Sequence, residues 1–265
     1  MNLLIPGTYM AADSTLHRLD PRVKMGAALS LMALPFAAPS LGSNLLLSTF
    51  VAILAFLSAA PRLALLRTLR TVLWIGALMF IFSLFTTPGR VLVAVEGITV
   101  TQEGLVAGMT QVYRLCLLVI IASLLTFTTS PTQLAHGLDA LLRPLTHTGL
   151  PVRELTMALT IALRFVPTLF EEIDKIVKAQ RARGADTHSR WIWQRIRNQA
   201  TIFVPMFVSA FRRADELATA MEARGFRGAR HRTQMRQLRL TSRDLVACLV
   251  VLAASVAILC LERLA

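Results

Sequence analysis

Five predominantly apolar stretches, each close to the length of a membrane-spanning helix, constrain this chain more than any other feature of its sequence. A helix needs about 20 apolar residues to cross the hydrocarbon core of a bilayer, and a slightly shorter one can span by thinning the bilayer locally. The stretches are residues 23–41, 45–60, 71–86, 105–128 and 245–261. The sequence therefore predicts an all-α, polytopic membrane protein with about five transmembrane helices.

The composition agrees with a membrane location. Hydrophobic residues make up 55% of the 265 residues and charged residues only 16%, whereas soluble proteins carry about 25% charged residues. The formal net charge is nevertheless +13. This combination excludes a disordered chain, argues against an ordinary cytosolic enzyme, and is typical of a membrane protein with a basic cytoplasmic portion.

The charges of the connecting segments alternate along the chain. Three basic residues precede or begin the first stretch, residues 38–44 carry no charge, and residues 61–70 contain three arginines. Residues 88–104 contain one arginine against two glutamates. Because cytoplasmic loops are enriched in Lys and Arg, the N-terminus is predicted to be cytoplasmic, and residues 1–128 are predicted to form transmembrane helices 1–4.

Residues 129–243 are predicted to form a separate cytoplasmic helical region. Its apolar runs, 155–170 and 200–211, are poor spans: the second is too short, and the first contains Arg164 and Pro167. If the first run crossed, the arginines that follow it would lie outside, against the positive-inside bias. Residues 244–265 then form a C-terminal transmembrane helix that ends outside.

The start of this cytoplasmic region carries a helix-start signature. Ser130 can cap the helix, Pro131 suits the first helical position, and Gln133 can reach back as in a capping box. The sequence predicts a short amphipathic helix from Ser130 that is interrupted near Pro144.

The pattern A-x-x-A-R-G occurs twice, at residues 179–184 and 220–225. A proline precedes the arginine by 16 residues in one copy and by 19 in the other, a difference of about one helical turn. Each unit is predicted to be a kinked helix with the same terminus.

The shared terminus has a physical interpretation. A glycine after the arginine can adopt the left-handed conformation that ends a helix, and the arginine favours the negative end of the helix dipole. Ile176 and Leu217 lie seven residues before the two arginines, so each arginine continues an apolar stripe. A planar guanidinium at the tip of such a stripe suits insertion into a groove with an acidic end. An ordinary basic helix end is the alternative, and it explains one copy more readily than two.

Several kinds of chemistry lack their usual residues. Cys116, Cys248 and Cys260 occur singly within apolar runs, without a CxxC pair or a histidine at ligand spacing, which argues against a metal or redox site. The sequence has no phosphate-binding P-loop, no H-E-x-x-H and no G-x-S-x-G motif. The basic region lacks a known nucleic-acid module. The sequence thus predicts no nucleic-acid partner, no metal and no cofactor bound by this chain.

The doubled A-R-G ending resembles the signature of the transmembrane T component of energy-coupling factor transporters, which are ABC-type importers. Residues 19–24, with Asp20 and Arg22, resemble the family's segment before the first membrane helix. Residues 163–167, with Arg164 and Pro167, resemble the start of its first long coupling helix. The resemblance extends from about residue 6 to about residue 228.

The resemblance implies a division of labour. Two cytoplasmic ATPases bind ATP and Mg²⁺, a small membrane S component binds a vitamin or other micronutrient, and the T component couples them within the cell membrane. Residues 129–243 become the coupling-helix region with two tips. The resemblance also implies structural or coupling roles for Arg164, Pro167, Pro205, Asp20 and Arg22. The residues implied to dock on the ATPases are Ala182, Arg183, Gly184, Ala223, Arg224 and Gly225.

Two alternatives stay open from the sequence. One is a T component dedicated to cobalt or nickel, which would have the same scaffold. The other is a membrane-tethered regulator that binds a cytosolic protein through its basic helices. The substrate does not follow from this chain, because the resemblance places the substrate site on another chain.

Overall fold

A computed structural model of the chain describes residues 14–38, 40–58, 62–95, 98–142, 151–183, 192–226, 228 and 241–264. Two compact units make up the structure. The first unit comprises Met1–Gly137 and Leu238–Ala265, and the second comprises Leu138–Gln237.

The described part of the chain is almost entirely helical, which confirms the predicted fold class. A short antiparallel hairpin, which the sequence did not predict, pairs Val91 with Thr101 and Val95 with Ile98. The elements are α1 Pro21–Ala37, α2 Leu41–Leu57, α3 Arg62–Thr86, β1 Val91–Val95, β2 Ile98–Thr101, α4 Gln102–Thr128, α5 Pro131–Leu142, α6 Val152–Ala182, α7 Ile192–Ala223 and α8 Ser242–Leu264.

Five of these helices correspond to the five predicted apolar stretches, and α3, α4 and α8 contain theirs completely. Three of them are long and apolar enough to cross a membrane, over Leu63–Thr86, Gln102–Thr128 and Ser242–Arg263. The apolar part of α2, Gly42–Leu57, is shorter, and α1 has 17 residues with Pro35 inside. The chain is therefore a polytopic membrane protein, in which the first two apolar helices are the shortest.

Two predicted boundaries were wrong. The first stretch was extended to residue 41, but α1 ends at Ala37 and Ser40 caps α2, accepting a hydrogen bond from the Ser43 N–H at 3.3 Å. The three arginines assigned to a loop over 61–70 belong instead to α3, which begins at Arg62. Arginine is a good helix former, so the helix continues beyond its apolar part.

The core of the first unit lies where α1, α2, α4 and α8 pack together. On α1 and at its C-cap the buried apolar positions recur every three or four residues, at Ala28, Leu31, Leu34 and Ala38. Their buried partners on the other helices are Leu47, Val51, Leu117, Ile121 and Ile258.

Polar contacts tie the ends of these helices together at one end of the first unit. Asp20 caps α1 by accepting from the Arg22 N–H at 2.9 Å, and its own N–H donates to Asp244 Oδ1 at 2.7 Å. The buried Lys24 ammonium donates to the Thr128 carbonyl at 3.0 Å, where α4 ends. The starts of α1 and α8 therefore lie beside the end of α4.

A second set of contacts holds the opposite end. The Glu262 carboxylate, near the end of α8, accepts from the Ser40 N–H and from the Ser43 hydroxyl, both at 3.0 Å. The end of α8 thus lies against the start of α2. A carboxylate at a helix N-terminus also interacts favourably with the helix dipole.

The predicted start of α5 is confirmed. The Gln133 N–H donates to Ser130 Oγ at 3.3 Å, and the Ser130 N–H donates to Gln133 Oε1 at 3.1 Å. These reciprocal bonds form the capping box that the sequence predicted. The interruption predicted near Pro144 lies outside the described residues.

Candidate docking tips and the helix pair that bears them

The second unit contains the two longest helices, α6 with 31 residues and α7 with 32. On each, half-buried side chains recur every three or four residues, as expected for a helix that packs along one face. On α6 this stripe includes Glu172, Ile176 and Gln180. On α7 it includes Ile202, Met206, Ser209, Arg213, Leu217 and Met221.

Side-chain contacts define how α6 and α7 are paired. The Glu172 carboxylate accepts a hydrogen bond from the Ser209 hydroxyl and forms a 2.9 Å ion pair with Arg213. The Gln180 side-chain amide lies 3.5 Å from the Thr201 carbonyl. Moving eight residues forward on α6 thus corresponds to moving eight residues back on α7. The two helices are therefore antiparallel over this stretch.

The two prolines that the sequence analysis singled out, Pro167 and Pro205, lie inside these helices. Pro167 is an exposed residue of α6 and Pro205 an exposed residue of α7, and neither ends its helix. Because proline lacks an N–H, Pro205 cannot donate to the Thr201 carbonyl one turn earlier. The Gln180 amide of α6 approaches that carbonyl, so the proline makes a backbone acceptor available to the neighbouring helix.

The α7 tip ends in a Schellman motif. The Phe226 N–H donates to the Met221 carbonyl at 3.0 Å and the Gly225 N–H to the Glu222 carbonyl at 2.9 Å. This pair of bonds requires a left-handed residue between them, and Gly225 has φ 75°. The sequence prediction of a glycine-terminated helix is confirmed at this tip.

The α6 tip repeats the hydrogen bonds of the α7 tip up to the arginine. The Arg183 N–H lies 3.2 Å from the Ala179 carbonyl and 3.1 Å from the Gln180 carbonyl. The Arg224 N–H lies at the same two distances from the Ala220 and Met221 carbonyls. Gly184 lies outside the described residues.

The described residues that the sequence predicts to dock on a partner are accessible. Ala182, Arg183, Ala223, Arg224 and Gly225 are all exposed. Within the part of the chain that the structure describes, no carboxylate forms an ion pair with either tip arginine. Both guanidinium groups are therefore available to an acidic group on another protein.

The two tips point away from each other. Arg183 lies about 11 residues beyond Glu172, and Arg224 lies about 15 residues beyond Ser209 on the antiparallel helix. With a rise of about 1.5 Å per residue, these offsets place the tips roughly 40 Å apart along the helix pair. One groove on one partner cannot hold both tips, so the arrangement suits two separate docking sites.

Exposed apolar side chains occur along both α6 and α7. On α6, Leu155, Leu159, Val166 and Phe170 follow one helical stripe and are 37–63% exposed; Arg164 is exposed nearby. On α7 the exposed apolar residues are Phe203, Val204, Phe207, Val208 and Phe211. Apolar patches of this extent mark contacts with other proteins or with lipid.

Glycine at the α7 tip should be difficult to replace. Gly225→Ala places a Cβ at φ 75°, which costs about 1–2 kcal/mol, whereas Asn tolerates this conformation better. We expect Gly225→Ala to accelerate amide hydrogen exchange over residues 221–226, and Gly225→Asn to do so less. Gly26→Ala is the control, because Gly26 also has an open Cβ position but lies within α1 without a positive φ. Equal exchange in Gly225→Ala and wild type would contradict the assigned role of this glycine.

The sequence did not identify the side chains that pair α6 with α7. Glu172, Gln180, Ser209 and Arg213 lie on the half-buried stripes, but their partners are 21 to 41 residues away in sequence. The only signal was the charged middle of each helix, with acidic residues on α6 and arginines on α7.

Comparison with known proteins gives consistent matches. The family model described as cobalt transport protein (CbiQ) matches residues 12–235. The energy-coupling factor transporter transmembrane protein EcfT of Acidaminococcus fermentans is 46% identical over 247 residues, covering 93% of this chain and 92% of the relative. The protein of the same name from Thermosediminibacter oceani is 45% identical over 241 residues, with 91% of each chain covered. The protein of the same name from Bacillus subtilis is 40% identical over 257 residues, covering 96% of this chain and 97% of the relative.

Proposed function

This chain belongs to the family of energy-coupling factor transporter transmembrane proteins, and we propose that its two arginine tips dock on two cytoplasmic ATPases. The observation that carries the proposal is the pair of equivalent tips. Arg183 and Arg224 have the same backbone hydrogen bonds, are both exposed, and lie at opposite ends of an antiparallel helix pair. Such a pair suits two related partners, one for each tip.

The chemistry of the tips supports an acidic groove on each ATPase. A guanidinium can hold a carboxylate through two parallel hydrogen bonds, which a lysine cannot. Ala182 and Ala223 are small and allow close approach of another backbone, while Gly225 turns the chain away after Arg224. ATP and Mg²⁺ would be bound by the ATPases, and this chain would be a non-catalytic subunit.

We assign the exposed apolar faces of α6 and α7 to contact with a substrate-binding S component. Movement of the ATPases would shift the tips, and the helix pair would transmit that shift to the S component. Arg164 on α6, together with Pro167 and Pro205, would serve this coupling, and Asp20 and Arg22 would anchor the start of α1.

The cargo we propose is a vitamin or a similar micronutrient. The names of the relatives specify no substrate, but the description of the matching family model specifies cobalt. A T component dedicated to cobalt or nickel is therefore the second candidate, and the S component that co-purifies would distinguish the two.

We propose a multi-pass location in the cell membrane with residues 129–243 and the N-terminus in the cytoplasm. The starts of α1 and α8 lie beside the end of α4, and the start of α2 lies beside the end of α8. These contacts agree with five alternating crossings. The excess of basic residues before α1, at the start of α3 and before α8 favours the cytoplasm for that end.

Purification in mild detergent, followed by mass identification of the bound chains, tests this function. We expect two ATP-binding cassette ATPase chains and one small membrane protein to accompany the chain. The complex of an Arg183→Ala, Arg224→Ala variant, purified in parallel, should lose the ATPases. A cytosolic partner without ATPase motifs would instead support the membrane-tethered regulator, and ATPases retained by the double variant would refute docking through the tips.

A further inference from the structure

A cavity in the first unit has the size and chemistry of a lipid site. It has a volume of about 840 Å³, within the range of about 300–1,000 Å³ that small-molecule sites occupy. Its walls are largely apolar and include Leu31, Phe50, Leu54, Ile121, Leu124 and Val250. The small side chains of Ala27, Ala28 and Ala247 leave this space open between the helices.

The rim of the cavity is basic. Arg18, Lys24 and Arg243 lie at the end where α1 and α8 begin, and no acidic side chain among the described residues lines the cavity. Asp20 and Asp244 lie close to this end, where their carboxylates accept backbone N–H bonds at 2.7–2.9 Å. The three basic side chains still exceed these two carboxylates by one positive charge. Lys24 is occupied with two backbone carbonyls. Arg243 is exposed and has no ion pair with a described residue, so its charge can meet an anion from outside.

The depth of the cavity matches one leaflet of a bilayer. Its lining runs from Val23 to Leu31 on α1 and from Ser242 to Val251 on α8. At about 1.5 Å per residue this corresponds to roughly 12–14 Å, close to half of the hydrocarbon core of about 30 Å. An acyl chain entering from the basic end would therefore remain within the leaflet that borders that end.

We propose that this cavity binds one anionic phospholipid, with an acyl chain between α1, α2, α4 and α8 and its phosphate at Arg243. The apolar walls would contact the acyl chain of the lipid, and the basic rim would favour a head group with net negative charge. The lipid would fill the space next to the contacts that tie α1, α4 and α8 together, and would thereby fix the end of the membrane unit from which the chain continues into the second unit.

Native mass spectrometry of the intact chain tests the proposal. The chain is reconstituted into vesicles with equal amounts of phosphatidylglycerol and phosphatidylcholine, extracted in mild detergent, and analysed for retained lipid. We expect wild type to retain phosphatidylglycerol at least about fivefold over phosphatidylcholine, since one basic residue near a membrane surface contributes about that factor. Arg243→Glu should remove the preference, and Ala247→Phe should reduce retention of both lipids by filling the cavity.

Two matched variants on α8 are the controls. Arg263→Glu reverses an exposed charge at the opposite end of the helix, and Ala253→Phe adds a ring at an exposed position that does not line the cavity. Both should retain lipid as wild type does. Because Arg243 is exposed, its replacement should leave the fold intact, and Arg243→Glu decides the outcome if Ala247→Phe fails to insert. Equal retention of the two lipids by wild type, an unchanged preference in Arg243→Glu, or the same loss in the controls would overturn the proposal.

Discussion

Replacement of both Arg183 and Arg224 by alanine should abolish substrate uptake while leaving membrane insertion intact. If each guanidinium enters an acidic groove on an ATPase, its removal leaves a buried carboxylate without a partner, which typically costs about 2–5 kcal/mol. Both arginines are exposed at helix ends and form no ion pair with a described residue, so the folded chain should tolerate their removal. Uptake into vesicles and the amount of bound ATPase are the measurements. Each single variant should weaken assembly or uncouple ATP hydrolysis from uptake.

The chain provides a matched control for this experiment. Arg181 is exposed in the same last turn of α6, but its counterpart in the second copy is Glu222. Arg181→Ala should therefore be close to wild type. Lysine at positions 183 and 224 should rescue uptake only in part, because an ammonium cannot make the bidentate contact. Full uptake by the double alanine variant would overturn the proposed mechanism.

The parts of the structure that depend on local signals could be predicted from the sequence. The capping box at Ser130 and the left-handed glycine after Arg224 were both predicted, because the residues that make them lie within a few positions of each other. The apolar stretches were predicted for the same reason. The ends of these helices were predicted less accurately where no residue marks a helix end. For example, α3 begins as early as Arg62, because arginine is a good helix former.

The parts that depend on distant contacts could not be predicted. The β-branched residues of 91–101 were a signal for strands, but the same segment also fitted a plain loop. Asp20 was selected by resemblance, whereas its bond to Asp244 joins residues 224 positions apart. The pairing of α6 with α7 likewise follows from Glu172 meeting Ser209 and Arg213, which no periodicity within one helix reveals.

That pairing leads to the second prediction of large effect. Glu172→Arg should strongly reduce uptake although both tips remain unchanged. The substitution removes the acceptor for Ser209 and places two arginines against each other where a 2.9 Å ion pair stood. The side chains of Glu172 and Arg213 are 22% and 40% exposed, so solvent screening limits the loss to about 1–2 kcal/mol. A loss of that size changes the population of the paired state by a factor of roughly 5–30.

The reciprocal exchange separates pairing from general damage. In the Glu172→Arg, Arg213→Glu double variant the charges attract again. Its uptake should therefore be higher than the sum of the losses in the two single variants would give. Glu171→Arg is the matched control, since Glu171 is the exposed neighbour that does not lie on the α6 stripe. If the helices must hold their antiparallel register for the tips to move together, Glu172→Arg should retain bound ATPases and ATP hydrolysis while uptake falls. Uptake equal to that of Glu171→Arg, or no recovery in the exchanged pair, would show that coupling does not depend on this contact between α6 and α7.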